Sequence, residues 1–364
     1  MYSFEPNEEQ QMLIDVVKRF AENDLRPAAH DADEDSEFPQ NLIHKGWELG
    51  ILQASVPEEY GGFGDRSILT SILACEELGW GDMAGALAIM VPSLFAIPIL
   101  LGGTEEQKKK YLPSIVEADW KPYTAALLEY DFDFDVNELD TIAKLDKKEY
   151  VLNGEKSYVP FADQADAMVI YANLDGKTQG FILEKDTDGV SIGERAELMG
   201  LNALPCFSIK LKDVRIPVEN CIGGKDGHDF APVLASSQVA LAALAVGMAR
   251  GAFEYSREYA KQREVLGSMI AQKQSIAFML AEMATEIEAI RLLNWEAAWM
   301  LDNGKEDANK AAYLALQGAM DMVLMVTDRG VQILGGYGYI REYPVEMWLR
   351  NGRGVSSLVG LAVV

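Results

Sequence analysis

The sequence predicts an α+β protein with an N-terminal helical domain over residues 1–120, a middle antiparallel β domain over 121–228 and a C-terminal helical domain over 229–364. Two observations carry the prediction. Apolar residues recur at the helical period at both ends of the chain and alternate at the strand period between them. The connections in the middle segment are too short for crossover helices, which favours antiparallel strands. With 364 residues, 49% of them hydrophobic, the chain can bury a core for two or three domains.

Each element has its own signal. Leu13, Val16, Val17 and Phe20 fall at helix spacing behind Asn7, an N-cap, with Gln10 three residues later. Thr104 and Gln107 repeat that start signal ahead of Lys108-Lys109-Lys110, read as a solvated helix face. Between them, residues 58–64 form a glycine-rich turn. In the middle segment, Asn153-Gly154 between two apolar runs predicts a hairpin with a type I′ turn, and Asp175-Gly176 predicts another. Phe207, Ile209 and Leu211 alternate with polar residues. Beyond residue 229, Ile276, Met279, Leu280, Met283 and Ile287 form one helical stripe that stops near Asn303-Gly304. A further helix runs from Glu306 to Ile333 and ends at Gly335-Gly336.

Charge narrows the function. The chain carries 57 acidic and 32 basic side chains, a formal charge of −25 at pH 7. That field argues against nucleic acid, whose binding needs clustered Lys and Arg, and against docking on an anionic membrane. Three scattered cysteines, Cys75, Cys206 and Cys221, make neither a disulfide framework nor a zinc site. The first residues lack the basic and apolar regions of a secretory signal, so a cytosolic location is expected. Two uncharged stretches, Met83–Thr104 and Ala231–Ala249, have the length of membrane spans. Their prolines, glycines, serines and alanines suit helices buried in a large protein better. His30, His44 and His228 lie too far apart for metal or triad spacing and read as surface or loop residues; no metal site is expected.

A set of motifs then appears in order. Residues 56–64 read Val-Pro-Glu-Glu-Tyr-Gly-Gly-Phe-Gly, and 103–108 read Gly-Thr-Glu-Glu-Gln-Lys. Tyr150–Lys156, Val214–Pro217, Gln262–Gly267 and Gln332–Tyr339 follow, and then Tyr343–Glu346. In these motifs, over nearly its whole length, the chain resembles the acyl-CoA dehydrogenase family. The resemblance implies the three-domain fold, with a C-terminal four-helix-type bundle, usually in a tetramer. It implies FAD at a subunit interface and an acyl-CoA thioester substrate. In that chemistry a glutamate takes the α-proton and the β-hydride passes to the flavin. An electron-transfer flavoprotein is the implied electron partner, and Lys108–Lys110 is one of few places where a CoA phosphate could find positive charge.

By the same resemblance, Arg263 matches the arginine that reaches the flavin diphosphate, and Gln274 a glutamine of that site. Gln332 through Gly335 and Gly336 match the segment that receives the adenosine part from a neighbouring subunit. The ring end departs from the family pattern. Leu128 takes a hydroxyl position, Phe134 replaces a small hydroxyl residue, and Tyr158 and Pro160 stand where a Trp and a Thr usually flank the ring. Val359 occupies the usual glutamate position, and Ser237 the alternative one. Neither can abstract an α-proton at neutral pH.

Four readings stay open. They are an acyl-CoA dehydrogenase with an unconventional base, a non-catalytic subunit that contributes half of an FAD site to a homologous partner, another flavin chemistry on the fold, and a flavin-free scaffold. The assembly is expected to be a homo- or heterotetramer. Glu129, Asp131, Asp133, Asp135, Glu138 and Asp140 crowd residues 129–140 without a Lys or Arg, so this loop is expected to set carboxylates against the flavin.

Overall fold

A computed structural model describes residues 4–117 and 119–364. Residues 1–3, the start of the stretch read for a secretory signal, lie outside them. The N-terminal helices are α1 (Glu8–Phe20), α2 (Arg26–Asp35), α3 (Gln40–Trp47), α4 (Ile68–Gly81), α5 (Met83–Met90), α6 (Ser93–Gly102) and α7 (Glu105–Ile115). The strands are β1 (Thr124–Ala126), β2 (Ile142–Asp146), β3 (Glu149–Pro160), β4 (Ala167–Leu174), β5 (Lys177–Glu184), β6 (Val190–Arg195) and β7 (Cys206–Pro217). After them come α8 (Ala231–Gln262), a short hairpin of β8 (Glu264–Val265) and β9 (Ser268–Met269), α9 (Gln274–Asp302), α10 (Ala308–Leu334) and α11 (Val345–Gly354).

The helix-start signals hold in atomic detail. Asn7 with Gln10 and Thr104 with Gln107 each form a reciprocal capping box. The asparagine–glycine hairpin does not form. Residues 149–160 are one continuous strand, and Gly154 marks a bulge between the Leu152 and Gly154 pairings with β7. Asn153 exchanges hydrogen bonds with Asp213 across the sheet, and a Cβ on Gly154 would meet the Thr141 backbone at 2.6 Å. The glycine is therefore there for close approach, and the real β2–β3 turn lies at Lys147-Lys148. At Asp175-Gly176 the predicted turn does form, with φ of 52° and 82°.

The sheet order is β1-β4-β2-β3-β7-β6, with β5 on β4. The antiparallel expectation holds for β2–β3, β3–β7, β6–β7 and β4–β5. It fails for β1, which pairs parallel to β4, and for the Ile142–Asn173 contact of β2 with β4, also parallel. β1 and β2 thus run in one direction along β4. Residues 127–141 must loop out to connect them, and that loop is the acidic one.

The helical ends of the chain share one core. Among the described residues, α8 is the helix long and apolar enough to cross a membrane, and 83% of its apolar window is buried inside the protein. The other charge-free stretch is bent by 48° between α5 and α6, and both halves are buried. α8 packs on α4 at backbone distance: a Cβ on Gly247 would lie 1.9 Å from the Glu76 carbonyl, and one on Gly79 2.3 Å from that of Leu244. Arg250 and Arg291 hold Glu76 beside this crossing, and Arg250 also forks onto Glu77. Asp302, at the end of α9, accepts from the Ile68 and Leu69 amides and so caps α4 from the other domain.

A Gly247→Ala substitution should therefore destabilise the fold by roughly 1–3 kcal/mol, read as a fall in the urea midpoint with an unchanged m-value.

Candidate functional site

The loop that leaves β1 opens the main cleft. Its space of about 750 Å³ lies between the middle domain and the C-terminal helices. Residues 128–136 and Tyr158 form one wall; Leu234 and Gln238 of α8, Tyr313, Leu316 and Gln317 of α10, and Ser356, Ser357 and Val359 form the other. A second cleft of about 480 Å³ shares Tyr158, Ser356 and Ser357 with the first and is completed by residues 198–201, Arg350 and Arg353.

Tyr158 separates the two clefts because β3 is irregular there. The register with β7 slips between Lys156 and Val159, and Tyr158 takes a left-handed φ of 52°. A bulky residue in that region is costly unless its surroundings impose it, and such positions cluster at functional sites. Pro160, two residues on, is buried and lacks a backbone N–H, and the Leu128 side chain offers no hydrogen-bond donor.

The acidic loop divides into architecture and lining. Glu129 is buried and pairs at 2.7 Å with the ammonium of Lys156, itself fully buried. Its two oxygens also accept from the amides of Thr141 and Asp140, at 2.9 and 2.7 Å. Burial alone would raise the Glu129 carboxyl, but Lys156 and the Thr141 bonds outweigh it and hold the group below the usual carboxylate range. Burial pushes Lys156 down to about 8. Glu129 is thus a fastener for the loop and is withdrawn from the set of acids available for chemistry. Asp131, Asp133 and Asp135 remain on the cleft wall, as expected. Desolvation against the loop, with the carboxylates of Asp140, Glu129 and Asp133, pushes the exposed Asp131 up.

The two positions that the resemblance assigns to a base, far apart in sequence, meet. The Ser237 hydroxyl, buried at 1% exposure, accepts from the amide of Gly360 at 2.9 Å, immediately after Val359. Neither of the two positions carries a carboxylate. His30 and His44 are exposed, whereas the loop residue His228 is tucked against Gly102 and Gly180. Burial pushes it down to about 4, opposed by Asp229. Lys108 and Lys110 do form a helix face, paired to Glu105 and Glu184.

The five residues assigned to the cofactor lie exposed at the far end of the C-terminal helices. Arg263 ends α8 and stacks 5.5 Å over the Tyr337 ring, so the structure brings it to the turn that begins at Gly335. Gly335 has φ +61°, and neither it nor Gly336 has any atom within 4 Å of a Cβ position. The turn is open to close approach by a ligand. Gln332 lies one turn earlier on α10, and Gln274 begins α9. An exposed guanidinium beside an open glycine turn fits a diphosphate, whereas the side chains of Leu128 and Pro160 carry no donor.

Models of the N-terminal, middle and C-terminal domains of acyl-CoA dehydrogenases match residues 7–119, 125–214 and 231–360. The chain belongs to the acyl-CoA dehydrogenase family. It is 35% identical to the short-chain specific acyl-CoA dehydrogenase of Clostridium acetobutylicum over 96% of this chain and 94% of that one. It is also 35% identical to subunit CarC of the caffeyl-CoA reductase–Etf complex of Acetobacterium woodii, over 95% and 93%. Its fold matches butyryl-CoA dehydrogenase from Megasphaera elsdenii with a TM-score of 0.89 and 33% identity, covering 100% of this chain and 96% of that one. The family establishes an acyl-CoA dehydrogenase-like flavoprotein and implies FAD binding.

The strand bulge at Tyr158 and the buried Glu129–Lys156 pair escaped sequence reasoning. Lys156, a lone basic residue inside an otherwise half-apolar strand, was the available signal for the pair.

Removing one partner of that pair strands the other charge. Glu129→Ala should cost about 3–5 kcal/mol in urea unfolding, whereas the Glu129→Leu/Lys156→Met double variant should recover most of it. His228 adds a pH dependence. An unfolded histidine protonates near 6.5 and the folded one near 4, so stability is full above pH 6.5 and falls as the pH drops toward 4. Acid titration of the unfolding free energy should show this slope, and His228→Gln should flatten it.

Proposed function

We propose that this chain is a flavin-holding, acyl-CoA-binding subunit that does not itself carry the α-proton base and works beside a homologous subunit that does. The observation that carries the reading is Val359 on the cleft wall, followed by Gly360, whose amide occupies the buried Ser237 hydroxyl just behind that wall. Neither side chain can hold a proton taken from a thioester α-carbon. The two-wall cleft supports thioester binding, with Gln238, Ser356 and Ser357 as its neutral polar groups.

FAD, when bound, supplies the acceptor for the β-hydride. Arg263 would hold its diphosphate and the Gly335-Gly336 turn would admit the adenosine part, while Gln274 and Gln332 flank these as amide partners. The absence of side-chain donors at Leu128 and Pro160 favours weak retention or a site shared across a subunit interface. The kinship with an Etf-complex subunit supports an electron-transfer flavoprotein as acceptor. Three buried free cysteines agree with a reducing, cytosolic setting.

A second reading has its own observation. Asp131 lies on the cleft wall with its carboxyl pushed up, the direction that suits a general base. In that case the chain would oxidise thioesters alone.

The flavin spectrum separates the readings. The chain purified alone should not bleach on addition of butyryl-CoA, and the complex with a co-expressed homologous subunit should. Bleaching by the chain alone, abolished in Asp131→Asn, would overturn the proposal in favour of the second reading. Val359→Glu should raise the bleaching rate of the chain alone by about 10²-fold or more. Arg263→Ala should weaken flavin retention about tenfold in equilibrium dialysis, the loss of one charge-assisted contact.

A further inference from the structure

Beyond Val359 the chain turns inward. Leu361, Ala362, Val363 and Val364 are all buried, at 4%, 0%, 3% and 4% exposure, outside any helix or strand. Gly360 makes the turn with φ +87° and donates its amide to Ser237. Val363 then reaches among Leu94, Ala125, Leu127, Tyr171, Val233 and Leu234. Val364 goes deeper, against Trp47, Leu52, Ile89, Met90 and Ile97 of the N-terminal helices. The main-chain oxygen of Val364 accepts two bonds from the guanidinium of Arg66, which also bonds the Ser236 hydroxyl. Burial lowers Arg66 to about 10, against the pull of Asp302, so it stays charged at neutral pH.

This segment runs through an apolar channel and fills it. The spaces left around Val363 and Val364 are about 10 and 20 Å³, at most a water molecule each. Leu127, Ser237 and Gly360 around Val363 are the chain neighbours of Leu128, Gln238 and Val359 on the main cleft, and Leu234 lines both spaces, so the filled channel lies directly behind the cleft wall. Arg66 is the sole cation on the segment among the described contacts, and it holds backbone, which leaves the side chains to fill space.

We propose that residues 361–364 are an internal plug that sets the acyl length this site accepts. The inference rests on reading the cleft as an acyl-CoA site. An acyl group seated against Val359 and pointing inward meets the plug after a few carbons. A short chain stops in the cleft. A long one must either displace four buried apolar residues or overpack a core with no free volume. The substrate class is therefore short acyl thioesters.

Calorimetric titration of the full chain with butyryl-CoA and octanoyl-CoA tests this. The intact chain should bind butyryl-CoA about tenfold or more tighter, and a chain ending at Gly360 should lose or reverse that preference. Val363→Ala/Val364→Ala, which keeps the main-chain contact to Arg66, should narrow the ratio and decides the matter if the shortened chain does not fold. Equal affinity of the intact chain for both thioesters, or a ratio unmoved in the double variant, overturns the plug and leaves the acyl-CoA reading standing. Failure of both thioesters to bind any form overturns the acyl-CoA reading, and the plug with it.

Discussion

The architecture depends on the crossing of α4 and α8, where Gly79 and Gly247 let two helix backbones touch. Helices joined by side chains stand 8–10 Å apart; only paired glycines permit closer contact. That contact brings Glu76 and Glu77 of the N-terminal domain against Arg250 of α8, and it brings Arg291 of α9 against Glu76. The buried carboxylates are tolerable because two guanidinium groups meet them, and the glycines are tolerable because the helices cover the backbone that they expose. Arg26 extends the same seam, stacking 4.0 Å from Trp80 and 4.7 Å from Trp348. The two helical ends of the chain thereby act as one body, and the middle domain leans on it.

The site is a consequence of that leaning. β1 and β2 both run parallel to β4, so the chain between them must leave the sheet, and it leaves toward α8 and α10. The buried Glu129–Lys156 pair fixes the base of the loop, which turns one of its six acids into a fastener. Asp131, Asp133 and Asp135 stay with the cleft, whereas Glu138 and Asp140 do not line it, so part of the charge of −25 is concentrated where an anionic ligand would be least welcome. A site of this character suits a subunit that holds one part of a shared cofactor and leaves the chemistry to a neighbour. The inward course of residues 361–364 belongs to the same logic: the space behind the base position is filled with the chain itself.

Much was determined by the sequence alone. Capping boxes at Asn7 and Thr104, the Asp175-Gly176 turn and the helical stripe through Met283 and Ile287 depend on residues a few positions apart, and local chemistry decides them. The motif order likewise carried the family and the three-domain plan. What required the tertiary structure was every feature in which distant residues compete for one place. Asn153-Gly154 has the composition of a turn, yet β7 on one side and Thr141 on the other pull it into a strand. β1 falls in a segment whose short connections favour antiparallel strands, yet β4 takes it in parallel. Glu129 reads as a free acid until Lys156 is found beside it, and Ser237 reads as an isolated residue until Gly360 arrives at its hydroxyl. Periodicity reports which face a residue shows, but not what stands opposite, and the function of this cleft turns on what stands opposite.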